Sequence, residues 1–353
     1  MLNRERLSQF TQLMAERHWD LLLFYGHTWR KDFFRCVLNV NFSGPYALAA
    51  LDCSGELRSF VSDPWDAEAI TECAASVDFL AGLQQLAARR GTVAIAGMEM
   101  MEAQFVQAFS NPVSATFDVE EIRRVKTPRE MELMRHAADL ADRGYQYFAG
   151  VIEVGMTEYE LVAEVEGFLK THGAEDNFML IASGGTEVTG MKPPTSRRFC
   201  EGDSVTTELT PQVNGYWAQI CRTLVLGEPN AKQREAFSLF SEAQKAAEDF
   251  LKPGVNIADV ARVQNDVFRK YGYGEYTGPK YTRVRGHGLG LHCDENPYVL
   301  EDVNYTVKER MTLIAHPNTY LPLSGYMVFG DSLVVTAGGC ERLNRTERKL
   351  FQK

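Results

Sequence analysis

The chain has 353 residues, enough for two cores rather than one. Apolar residues at 45% and charged residues at 24% exclude a disordered chain. The net charge of -10 argues against a nucleic-acid or anionic-membrane partner, because such surfaces attract basic proteins.

The first twenty residues spread their charges and hold no unbroken apolar core, so no secretory signal is expected, and no later stretch reaches membrane-spanning length without charges. The seven cysteines (36, 53, 73, 200, 221, 293, 340) are odd in number and form no C-x-x-C pair, which reads as free thiols in a reducing compartment; the expected location is cytoplasmic. In chain order, Leu7 to Ala15 gives a helical pattern and Leu21 to Tyr25 an apolar strand. Tyr46–Leu51, Leu57–Val61 and Val93–Ala96 read as further strands, with a helical stretch from Trp65. Short apolar strands alternating with helices predict an α/β layered domain over residues 1–121.

A second domain, 122–353, opens on Thr127, Pro128 and Glu130, a capping box with proline at the first helical position. Met131, Met134, Ala138, Ala141, Tyr145, Phe148 and Ile152 then mark one face of a long helix. Thr157 and Glu160 cap another, stopped by Gly173, and helical patterns recur at 231–251 and 257–270. Strand-like runs fall at 177–182, 204–210, 216–226, 311–316 and 326–336.

Three stretches carry chemistry: GDSVTTELTPQVNGYWAQICRT (202–223), RGHGLGLHCDENPYV (285–299), and MTLIAHPNTYLP followed by GYMVFGDSLVVT (311–336). With the helix openings RRVKTPREMELMRHAA and GMTEYELVAEVEGF, they resemble the creatinase, aminopeptidase P and prolidase family. That resemblance implies an α+β chain: a creatinase-like N-terminal α/β domain, then a pita-bread domain whose curved antiparallel sheet is covered by helices. It also implies a homodimer.

In metal-using members of that family, two aspartates, one histidine and two glutamates hold two divalent ions. The matching positions here read Glu208, Gln219, His287, His316 and Gly330. One carboxylate remains where four stood, and a pair of divalent ions needs several anionic oxygens, so no dinuclear centre is expected. The family's substrate-side histidine falls at Met191, before an intact Pro194-Thr195 pair. Creatinase, the metal-free member, is not matched either: its base is also Met191 here, and its two glutamates are Cys221 and His316.

The catalytic candidates are therefore His287, Glu208 and His316, since imidazole and a buried carboxyl both exchange protons near neutral pH. Each has a bland alternative, a residue left over and satisfied in the sheet. Gln219, His292, Cys221, Met191 and Arg222 are candidate substrate contacts, although Arg222 is also a natural brace for the sheet and a buried Cys221 thiol is often inert. Arg30, in an aromatic and cationic cluster with Trp29, is a further substrate candidate by analogy with creatinase-like dimers. The leading reading is a metal-independent hydrolase of a C–N bond in a small polar substrate, needing no cofactor, with lyase or isomerase chemistry open to the same acid–base groups. Two alternatives stand beside it: an enzyme with one divalent zinc or iron ion on Glu208, His287 and His316, and a non-catalytic pseudo-peptidase that only binds.

Overall fold

The computed structural model describes residues 2–353. Its contacts divide the chain into one unit up to Arg124 and another from Val125. The division lies three residues beyond the 121/122 boundary read from the sequence, because the last helix of the first unit runs on to Arg124. Arg123, near its end, is buried in an ion pair with Asp32 at 2.7 Å.

The first unit runs α1 (Arg4–Arg17), β1 (Leu21–His27), α2 (Asp32–Arg35), β2 (Tyr46–Asp52), β3 (Leu57–Val61), α3 (Pro64–Glu68), β4 (Ala74–Ser76), α4 (Phe79–Ala87), β5 (Val93–Ala96), α5 (Ala103–Val106), β6 (Val113–Ser114) and α6 (Thr116–Arg124). Its strands form one mixed sheet in the order β4-β3-β2-β1-β5-β6. β1 is a continuous apolar run because both its faces are covered, with Leu21, Leu23 and Tyr25 packed against Leu48, Phe79 and Ile95.

The second unit begins with α7 (Pro128–Val151) and α8 (Glu158–Thr171), and both predicted capping boxes are formed. There follow β7 (Asp176–Gly184), β8 (Ser204–Val213), β9 (Tyr216–Trp217), β10 (Ile220–Val225), α9 (Ala231–Phe250) and α10 (Ile257–Lys270). The chain closes with β11 (Gly286–Gly288), β12 (Thr312–Ala315), β13 (Asn318–Leu321), β14 (Gly325–Val328), β15 (Gly330–Thr336), β16 (Gly339–Arg342) and β17 (Phe351–Gln352). The main sheet follows the path β11-β12-β15-β10-β8-β7, antiparallel at every step, while β13 and β14 form a separate ribbon.

Two runs expected as single strands are each interrupted. The 216–226 run breaks at Ala218 and Gln219, and the 326–336 run at Phe329, where the chain leaves the β13–β14 ribbon and joins the main sheet. Helices α7 and α8 lie on one side of the sheet through Tyr145, Phe148, Leu161 and Leu169 against Leu209, Ile220 and Leu224. Gly144 permits that approach: a Cβ there would sit 2.8 Å from both Leu169 and Leu209 side chains. α9 and α10 cover β12 and β15 through Ala247, Val260 and Ala261 against Leu313, Leu333 and Val335.

Candidate functional site

Strand register explains how distant motifs meet. Glu208 of β8 stands opposite Leu180 of β7 and Cys221 of β10, and Cys221 stands opposite Gly330 of β15. Ala315 pairs with Asp331, so the next residue, His316, falls beside Gly330. His287 of β11 pairs with Ile314, two residues before His316 and so on the same face. Glu208, Cys221, Gly330 and His316 thus form one row across the sheet, with His287 diagonal to its end. Gln219, two residues before Cys221, is held at the strand break by reciprocal bonds with Ser332: its N–H donates to Ser332 Oγ at 2.9 Å, and that hydroxyl donates to Gln219 O at 2.9 Å.

The two histidines are neighbours, their ring centroids 5.3 Å apart in an edge-to-face pose. Both are buried, and burial lowers both pKa values; that of His316 falls to about 3, with the nearby His287 adding to the effect. His287 Nδ1 lies 2.9 Å from Gly288 O, a carbonyl that can only accept, so the neutral ring carries its proton on Nδ1 and its lone pair on Nε2. His316 Nε2 is buried with no hydrogen-bond partner among the described residues.

Glu208 is 8% exposed. Its pKa is pushed up to about 7, first by burial and then by the charge of Asp294. Burial, followed by Glu208's charge, also holds the Cys221 thiol well above its usual value, so it stays a neutral thiol rather than a nucleophile.

The structure adds residues that the sequence reading passed over. Asp294 Oδ1 lies 3.5 Å from His287 Nδ1, and its charge favours the imidazolium form of that ring. Tyr326, buried near Glu208, has its phenol pushed upward by burial and by that carboxylate. With the Asn318 amide turned to satisfy its neighbours, Asn318 accepts from Tyr326 OH at 3.1 Å and donates to His316 O at 3.2 Å. The only sequence signal for Asp294 was its place in the segment after the G-H-G step, whereas Asn318 and Tyr326 meet through the register of the β13–β14 ribbon.

The substrate candidates disperse. Gln219 Nε2 donates to Cys221 Sγ at 3.3 Å, so its amide is partly engaged. Arg222, offered as a substrate contact, is instead a brace: it donates to Gly330 O (2.8 Å), Asp331 Oδ1 (2.7 Å) and Thr346 O (3.1 Å), fully buried. His292 is fixed in its loop, with Nδ1 accepting from Asp294 N at 3.2 Å. Met191 lies half-buried on the segment after β7, which returns to that strand through the Ile181–Lys192 bridge. Arg30 belongs to the first unit and is paired with Asp32 at 3.0 Å.

The residues present do not fit a pair of divalent ions. The row offers one carboxylate, and Gly330 is closed to a ligand: even a Cβ there would lie 2.3 Å from Ala315 O and 2.6 Å from His316 Cβ. Among the described residues no three His, Cys, Asp or Glu side chains are gathered so as to hold a metal ion. In the strand register, Cys221 and Gly330 stand between Glu208 and His316.

Residues 132–337 match metallopeptidase family M24, and this chain belongs to that family. An Xaa-Pro dipeptidase of Pyrococcus furiosus is 33% identical over 235 residues, spanning 66% of this chain and 66% of that protein. One from Pyrococcus horikoshii is 32% identical over the same shares. The solved prolidase of Pyrococcus furiosus superposes with a TM-score of 0.82 at 26% identity, covering 96% of this chain and 99% of that one. The X-Pro aminopeptidase of Thermotoga maritima gives 0.87 at 23% identity, covering 98% and 99%. The fold is accordingly the α+β pita-bread fold, and the characterised relatives are hydrolases of peptide C–N bonds. The sequence match spans about two thirds of those dipeptidases' length.

Proposed function

We propose that this chain is a hydrolase of a C–N bond in a small polar substrate, working without the family's metal pair. The observation that carries the reading is the buried His287–His316 pair, with His316 Nε2 unpartnered, on the same sheet face as a carboxyl that titrates near neutral pH. His287 Nε2 takes a proton from water as its oxygen attacks the carbonyl carbon, while Asp294 steadies the imidazolium formed. The same ring returns the proton to the leaving nitrogen as the C–N bond breaks. His316 Nε2 orients the water, and Glu208 in its protonated form hydrogen-bonds the polar end of the substrate.

The likeness to Xaa-Pro dipeptidases makes Xaa-Pro dipeptides the first substrates to try. The test is hydrolysis of a dipeptide panel after exhaustive chelation, in the parent chain and in His287→Ala and Glu208→Gln. The reading expects activity that survives chelation and falls roughly 100-fold or more in His287→Ala, the scale of a lost acid–base group. Activity that appears only with added metal ions would remove it.

A second reading, a non-catalytic member that binds such molecules, is favoured by Cys221 and Gly330, which stand in the row between Glu208 and His316 and supply neither an acid nor a base. Saturable dipeptide binding with no turnover in either condition would select it.

A further inference from the structure

Away from the Glu208 row, the second unit holds a cavity of about 600 Å³ between the polar face of α7, the end of β8 and the turn after β16. Four arginines line it: Arg135 and Arg143 from α7, Arg342 from the end of β16 and Arg345 from the turn that follows. Asp139, Asp142 and Glu341 also line it, so four guanidinium groups face three carboxylates, a net positive balance in a chain of net charge -10.

The frame beneath these arginines is rigid. Asp142 is buried and accepts from Arg345 N (2.6 Å), Thr346 N (3.0 Å) and Thr346 Oγ1 (2.6 Å), which pins the turn to the helix. That carboxylate is consumed by backbone and hydroxyl donors and leaves the Arg345 guanidinium to the cavity. Neither Arg345 nor Arg135 finds a side-chain partner among the described residues. Arg143 is only loosely balanced by Asp139 at 3.9 Å, and Glu341 supplies the remaining acidic lining. His136 and His172 also face the space.

We propose that this cavity is a binding site for a small polyanion, a molecule with two or more phosphate or carboxylate groups. Each free guanidinium offers a planar fork of donors that matches a phosphate or carboxylate edge. The two unpaired forks come from elements some 200 residues apart in sequence and are held in one frame, so a ligand with two anionic ends bridges them. Leu140, Val213 and Leu343 give part of the wall an apolar surface for the body between those ends.

Calorimetric titration of the full-length chain at low ionic strength tests this, with inorganic triphosphate in one arm and citrate in the other. The expected result is one site per chain for at least one anion. Affinity should fall at least tenfold in the Arg135→Gln/Arg345→Gln double variant and stay unchanged in Arg58→Gln, an exposed arginine of the first unit. The stronger arm tells phosphate from carboxylate. Because both substituted side chains lack partners, the double variant should melt with the parent; Arg135→Lys, which keeps the charge and loses the fork, should bind at an intermediate level. Absence of binding in both arms up to millimolar anion, or equal loss in Arg58→Gln, would overturn the proposal. So would a double variant that binds normally, or one that changes oligomeric state instead of anion affinity.

Discussion

His316 and Glu208 should bend the stability curve in opposite directions. The folded chain favours neutral His316, so its contribution is full above pH 6.5, the ordinary value, and is lost as pH falls towards about 3. Glu208 is favoured in its protonated form, so its contribution is full below pH 4.5 and is lost as pH rises through about 7. Denaturant titrations should show His316→Asn flattening the acid limb, by up to about 1.4 kcal/mol per pH unit. Glu208→Gln should raise the melting temperature at pH 8 by a few degrees and do nothing at pH 4.5; an equal rise at both would contradict the burial argument. Gly330→Ala belongs to the same scale. Its methyl group would press on Ala315 O, costing about 1–3 kcal/mol by the measure of overpacked cores. Melting like the parent would show that β12 and β15 part freely.

Among the elements, the parts legible in the sequence are those fixed locally. The Thr127 and Thr157 caps were readable because a capping box is complete within four residues. A third, Asn230 with Gln233, closes the same four-residue box at the start of α9. Thr127→Ala should cost about 1 kcal/mol of unfolding free energy, read from a denaturant curve. The breaks at Ala218–Gln219 and Phe329 were not legible, because they follow from which strand each half pairs with, and pairing is non-local. The candidate site divides along the same line. His287, His316 and Glu208 were found by resemblance, and the register then set the histidines together and Glu208 three strands away. Asp294, Asn318 and Tyr326 emerged only with the loops and ribbon in place. Arg222 shows the converse: its pattern suggested a substrate contact, yet its bonds to Asp331 and Thr346 O make it the clamp between β10, β15 and the C-terminal segment. Arg222→Met should cost about 3–5 kcal/mol, the range for one partner removed from a buried pair. A loss below 1 kcal/mol would mean that Arg348, 2.8 Å from Asp331, suffices alone.

At the scale of the whole molecule, the metallopeptidase fold carries a row with one carboxyl, Glu208, among Glu208, Cys221, Gly330 and His316. The fold survives because it rests on layers distant from the row: α7 and α8 on one part of the sheet, α9 and α10 on another. Side chains in the row could therefore change with little effect on the core, except at Gly330, where the strands have closed up. The account stands on charge: of the row and its diagonal neighbour only Glu208 is a carboxyl, and with the Asp294 carboxylate already beside His287, too few anionic oxygens remain to offset the repulsion between adjacent dications. Titration of the chelated protein with Mn²⁺ or Co²⁺, followed by elemental analysis after dialysis, measures this directly. The account predicts less than one ion retained per chain. Two equivalents held by the parent chain and released by His287→Ala would contradict it.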